Sequence, residues 1–318
     1  MFSTVVNISS PDFQMDYPEK ILSLGSCFAE NIGNRLSDAW FLSLTNPFGA
    51  LYNPVSIVQS LELLLTDREF TEKDLFEHQS LWHSFAFSSH YSGVTPDEAL
   101  QNMNRSLSAA RYFLTETDVL ILTFGTAWVY EDVSSGEVVA NCHKLPANRF
   151  NRRKLSIDEI IEKYNILLTH LKQKLPQLQV IFTVSPIRHW KDGAHENTLS
   201  KSTLHLAVDT MEKKFDFVHY FPAYEIVMDE LRDYRFYAAD MLHPSDVAID
   251  YLWKRFSETY FSKVTLELKN ELEQLRGDLN HRPLHPESEA YQTFMQNIEK
   301  RKSSLIAKYP FLKQRIDN

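Results

Sequence analysis

The sequence predicts an α/β fold with a mainly parallel sheet, and three observations carry that expectation: short apolar runs that stop at turn residues, amphipathic helical patterns between them, and the composition of an ordinary globular chain. The first run, Ile21-Leu22-Ser23-Leu24, ends at Gly25, after which Phe28, Ile32 and Leu36 recur at helical spacing, so strand, tight turn and helix follow one another. A second run, Val119-Leu120-Ile121-Leu122-Thr123-Phe124, enters Gly125, and a third, Val180-Ile181-Phe182-Thr183-Val184, enters Ser185-Pro186. Near-continuous β-branched and apolar runs are what a sheet covered on both faces requires. Between the second and third runs, Ile157, Ile160, Ile161, Tyr164, Leu167, Leu168 and Leu171 fall on one helical face, with Ser156 placed to cap and Glu159 to support it. Strands alternating with such helices imply right-handed crossovers.

Further along, Val247, Ala248, Tyr251, Leu252 and Phe256 form another core-facing stripe. Beyond about residue 262 the character changes: Val264, Leu268, Leu272, Leu275 and Leu279 make a narrow stripe on a charged helix, His281-Arg282-Pro283 breaks it, and a polar helix follows Pro286. The expected division is therefore 1–262 for the α/β domain and 263–318 for a helical extension, whose stripe must bury against the domain or against a second subunit of a homo-oligomer. The 318 residues suffice for a large core, and 43% hydrophobic with 24% charged residues leaves no long disordered tract. A net charge of −9 without any basic, aromatic-rich stretch excludes nucleic acid as the expected partner. No apolar run reaches membrane-spanning length, and the amino terminus lacks the pattern of a secretory signal, so no membrane partner is expected and the cytoplasm is the expected compartment. Two cysteines, Cys27 and Cys142, are too few for a disulfide framework and leave thiols available.

In an open parallel sheet ligands sit at the carboxyl ends of the strands. Three unusual segments lie there: Gly25-Ser26-Cys27, Gly125-Thr126-Ala127-Trp128 and Ser185-Pro186-Ile187-Arg188-His189. A thiol in the first turn of a helix meets the positive end of the dipole and free amide N–H groups, which favour its thiolate. Asp240-Met241-Leu242-His243-Pro244 supplies a base, since a carboxylate one turn before an imidazole accepts its Nδ1 proton and leaves Nε2 for a nucleophile. Ser26 is a competing nucleophile or, in the commoner role of such a residue, a helix cap. Cys142-His143 invites a metal reading, but no paired ligand spacing accompanies it, and neither a metal nor a cofactor is expected. Arg188, His189, Lys191 and His195 form a polar loop suited to an anionic or sugar-like substrate or simply to solvent, and Trp82 and Trp128 suit sugar stacking or, more commonly, the core.

Gly25-Ser26-Cys27-Phe28-Ala29, with Asn46-Pro47-Phe48-Gly49, Trp82-His83-Ser84 and Ser185-Pro186-Ile187-Arg188-His189, resembles the GSCFA family over most of residues 20 to 260. That family is similar to SGNH (GDSL-type) hydrolases, so the resemblance implies a three-layer α/β/α flavodoxin-like fold and an acyl-ester hydrolase or acyltransferase acting on a small-molecule or carbohydrate ester. It implies Cys27 as nucleophile, His243 as general base and acid, Asp240 as its orienter, and the N–H groups of Gly49 and Cys27 as oxyanion donors. The third block departs from the superfamily's Gly-x-Asn-Asp: Gly125-Thr126 is followed by Ala127, where the Asn of the oxyanion hole belongs. Thr126, Asn141 or His143 are candidate replacements, and without one the chain is a weak enzyme or a module that binds a glycan or small molecule.

Overall fold

A computed structural model describes residues 4–316. Its centre is a five-stranded, all-parallel sheet of β1 (Lys20–Gly25), β2 (Leu42–Thr45), β3 (Val119–Phe124), β4 (Gln179–Val184) and β5 (Val218–Tyr220), in the spatial order 2-1-3-4-5. This is the flavodoxin-like order, whose topological switch lies between β1 and β3. The three runs legible in the sequence are β1, β3 and β4. Strands β2 and β5 were not, because they are four and three residues long with mostly half-buried side chains.

Alternation along each strand sends successive side chains to opposite faces and so builds two cores. Leu22, Leu24, Leu120, Leu122, Phe124, Val180 and Phe182 pack against helices α2 (Pro54–Leu64), α3 (Pro96–Leu114), α4 (Ile157–Lys174) and α5 (Ala194–Lys214). Ile21, Val119, Ile121 and Ile181 face the other way, against α1 (Cys27–Asp38), α6 (Asp246–Tyr260), α7 (Lys263–Leu279) and α8 (Glu289–Lys308). The result is the three-layer α/β/α arrangement expected.

Local details adjust several helix expectations. Ser156 caps α4 by accepting from Glu159 N at 3.1 Å, but the Glu159 carboxylate turns away to make a bidentate pair with Arg153 at 2.7 and 2.8 Å. In α6 Val247 is 64% exposed rather than core-facing, and Ile249, Trp253 and Tyr260 join Ala248, Leu252 and Phe256 in the core. On α7 the stripe is buried in the chain's own second core at Leu268, Leu272 and Leu275, while Val264 and Leu279 at its ends stay exposed. The change of composition at residue 262 is thus not a gap in packing: α7 starts two residues after α6 ends, and both feed one core. Among the described residues no helix is long and apolar enough to cross a membrane.

Between β3 and α4 the chain makes a three-stranded antiparallel flap of Trp128–Asp132, Val138–Val139 and Phe150–Lys154. Its register sets Trp128 opposite Lys154 and Tyr130 opposite Arg152, so all four side chains share one face.

Candidate active site

The carboxyl ends of β1 and β3 open into a cleft of about 470 Å³ at the switch point. Ser26, Cys27, Thr126, Asn141, Arg188, His189 and His243 line it, together with Tyr52, Asn53, Trp128, Arg152 and Lys191. Residues separated by more than two hundred positions are thereby brought to one cavity.

Cys27 stands at the first position of α1, with Ser26 as the N-cap residue. The turn depends on Gly25, whose φ of +152° lies outside what side-chain-bearing residues prefer, and whose Cα faces the Thr123 carbonyl of the adjacent strand with no room for a Cβ. Asn46 holds this corner by accepting from Gly25 N at 2.9 Å and donating to Glu30 at 3.3 Å. As the opening residue of a helix, Cys27 has an N–H with no protein acceptor among the described residues. Its half-buried thiol lies 3.3 Å from Tyr52 Oη. The phenol of Tyr52 is pushed well up, first by burial and then by the hydrogen bond to Cys27.

Ser26 corrects its expected role as a cap: it makes no side-chain cap bond, and its hydroxyl is buried without a hydrogen-bond partner among the described residues. Ser26 borders the cleft, but a buried hydroxyl is a poorer nucleophile than the half-exposed thiol beside it. The second thiol, Cys142, also lines the cleft but is pushed up to about 11, chiefly by burial.

Asp240 and His243 meet as the sequence suggested, with Nδ1 of His243 2.5 Å from Asp240 Oδ2. The other Asp240 oxygen accepts the N–H groups of Leu242 and His243 at 2.9 Å each, and these three bonds hold its carboxyl down at about 2. Met241, at φ +60°, bends the chain between the two residues. Nε2 of His243 has no hydrogen-bond partner among the described residues.

The expected oxyanion donors divide. Gly49 is not in the cleft wall, and its N–H is spent on Asn46 O at 2.8 Å, closing a local turn instead of facing substrate. The N–H groups of Gly125 and Thr126 both go to Tyr52 O, at 2.9 and 2.8 Å. The Thr126 hydroxyl is held between Ser200 Oγ and Trp128 N, both at 3.1 Å. His143 lies outside the lining, bonded through Nε2 to Ser84 O at 2.8 Å and through Nδ1 to Ser89 Oγ at 3.1 Å, and burial pushes it down to about 4. Asn141 remains: its Oδ1 accepts from His143 N at 2.8 Å, which leaves Nδ2 without a hydrogen-bond partner among the described residues.

His189 lies edge-on to the Tyr52 ring, with centroids 5.9 Å apart, and is pushed down to about 4 by burial first and the Lys201 ammonium second. His195, expected in the same loop, is instead an exposed residue in the first turn of α5. Trp128 lies under the guanidinium of Arg152, 4.3 Å from the ring centroid, while Trp82 packs at the edge of the first core. Sequence reading missed Tyr52, which carries no local motif, and Lys201. The latter reads as an ordinary helix lysine, yet it is fully buried beneath the site, donating to Gly125 O at 2.7 Å and Ser185 O at 2.6 Å and so tying together the ends of β3 and β4. Burial, with Arg188 adding to it, pushes Lys201 down to about 7.

Family models match the chain twice: the GSCFA family over residues 20–256, and the GSCFA domain protein, C-terminal domain, over residues 254–315. A search of curated proteins found no match. Among solved structures, a family 3 carbohydrate esterase from Clostridium thermocellum is 10% identical with a TM-score of 0.35, covering 80% of this chain and 98% of its own. A GDSL-like lipase from Parabacteroides merdae is 12% identical with a TM-score of 0.41, covering 79% and 98%. An acetyl xylan esterase from Butyrivibrio proteoclasticus is 11% identical with a TM-score of 0.39, covering 77% and 64%. The first family match takes in both Cys27 and His243 and about three quarters of the sequence, and the chain belongs to the GSCFA family.

Proposed function

We propose that this GSCFA chain is an acyl-ester hydrolase working through a thioester on Cys27. The observation that carries the reading is that a half-exposed thiol at a free helix amino terminus shares one cleft with a carboxylate-oriented imidazole. His243 Nε2 takes the thiol proton, the sulfur attacks the ester carbonyl, and the C–O bond breaks as the same proton passes to the departing alkoxide. Water, deprotonated by His243, then attacks the thioester and releases the acid and the thiol; with an alcohol in place of water the same steps make an acyltransferase. Tyr52 holds the resting sulfur. The developing oxyanion is received by the Cys27 N–H and by Asn141 Nδ2, which takes the place of the amide absent at Ala127. The substrate is a small-molecule or carbohydrate ester.

Replacing Cys27 by Ala is expected to lower kcat/KM on short-chain aryl esters and thioesters by about a thousandfold or more. Unchanged hydrolysis would overturn the mechanism. A second reading, a module that binds a glycan or small molecule without turning it over, is favoured by the loss of Gly49 as a donor. Saturable binding of acetylated sugars without turnover of any ester in the panel would select it.

A further inference from the structure

The cleft wall carries Arg152, Arg188 and Lys191 against one carboxylate, Asp192, in a protein whose net charge is −9. Of its cations, Arg152 is spent on an ion pair with the buried carboxylate of Asp192. Arg188 is not. It sits half-buried on the wall between the Cys27 cleft and a second groove lined by Trp190, Tyr234 and Met241 and by the carboxylates of Asp233 and Asp240, which are paired with Arg235 and His243; among the described residues its one hydrogen bond is to the Met228 thioether, 3.5 Å away. A guanidinium offers five N–H donors, so a fork suited to a carboxylate or phosphate is held at the cleft with no oxygen hydrogen-bonded to it among the described residues. Lys191, on the same rim, has no ion pair among the described residues. Below them Lys201 is buried, its hydrogen bonds among the described residues going to two backbone carbonyls and its ammonium lying 6.0 Å from the centre of the Tyr224 ring. Arg188 lies close enough for its charge to help push Lys201 down.

Resting on the esterase reading for its setting, we propose that the substrate is an ester bearing an anionic group, a carboxylate or a phosphate, which Arg188 grips beside Cys27 with Lys191 at the rim. The group occupies the fork bidentately, neutralises the cations that crowd the cleft floor, and fixes the ester carbonyl at the sulfur. A neutral ester loses this grip and an anionic one gains it.

The grip is testable without turnover. Iodoacetate and iodoacetamide alkylate a thiol by the same displacement of iodide, but only iodoacetate carries a carboxylate. The ratio of their rates at Cys27, followed by peptide mass mapping and divided by the same ratio for 2-mercaptoethanol, is expected to be about ten or more. The ratio is expected to fall to near one in Arg188→Met and to be only partly retained in Arg188→Lys, which keeps the charge but not the fork. In the wild-type chain, succinate at constant ionic strength is expected to slow iodoacetate more than chloride does, a readout independent of any variant's folding. A ratio near one in the wild-type chain, or one that Arg188→Met leaves unchanged, overturns the proposal. On the same samples, 4-nitrophenyl hemisuccinate against 4-nitrophenyl butyrate tests an anion on the acyl side, and S-acetyl-2-nitro-5-thiobenzoate against S-acetyl thiophenol tests one on the leaving side. No turnover of any of the four esters, with the alkylation ratio intact, defeats the esterase reading and leaves the anion site standing.

Discussion

At the scale of single residues, the chemistry turns on where Asp240 keeps its charge. Its carboxyl is held at about 2, below the ordinary value of 3.8, by two backbone N–H groups and the His243 ring. A depressed value in the folded chain means that its contribution to stability is present above the ordinary value and is lost as pH falls through about 2. Between pH 4 and 9 Asp240 stays ionised, so any acid limb of activity in that window belongs to another group. Asp240→Asn is expected to lower kcat by about 10²–10⁴-fold, since an amide cannot stabilise the imidazolium or fix its tautomer. A variant within threefold of wild type in a pH–rate profile would remove Asp240 from the mechanism. This pair was legible in the sequence because it lies within four residues. The oxyanion donors were not, since whether an N–H is free or closed into a turn, as at Gly49, depends on hydrogen bonds that no motif records. Ser26 shows the same limit: its type suits a cap, but the corner aims its hydroxyl into the protein.

At the scale of elements, the strand-to-helix corner after β1 fixes the sulfur. Gly25 abuts the Thr123 carbonyl, so Gly25→Ala forces β1 and β3 apart at the point where the cleft floor is formed. The expected cost is about 2 kcal/mol or more in urea unfolding, together with loss of activity, because the shift is transmitted directly to Cys27. A variant of wild-type stability and activity would show that the corner is not under this constraint. The same elements show why β1, β3 and β4 were readable. They are central, buried on both faces, and therefore nearly all apolar, whereas β2 at the sheet's edge presents half-buried Leu42, Ser43, Leu44 and Thr45 with no clean period. Lys201 escaped for the opposite reason: α5 has little amphipathic contrast, so nothing in its pattern separates one buried lysine from the solvated ones.

At the scale of the whole molecule, the C-terminal helices belong to the second core. Leu268, Leu272 and Leu275 are buried there with Trp253 and Phe261, and each leucine contributes about 1.5–3 kcal/mol of burial. Deleting residues 263–318 is therefore expected to lower Tm and to convert the chain into oligomers or aggregates through the uncovered face, as followed by thermal unfolding and light scattering. A truncated monomer with an unchanged Tm would make the extension an independent unit. The sequence displayed the stripe but not its partner, because the surface that receives it is assembled from α1, α6 and residues near the amino terminus. The same long-range assembly puts Cys27 and His243 in one cleft, and the most direct test of that cleft's chemistry is the intact mass of the protein quenched in acid during turnover of an aryl ester. One added acyl group is expected, located on Cys27, labile to hydroxylamine and absent from Cys27→Ala; an acyl group on Ser26, or hydrolysis with no acyl group bound at any time of quenching, would contradict a thioester on Cys27.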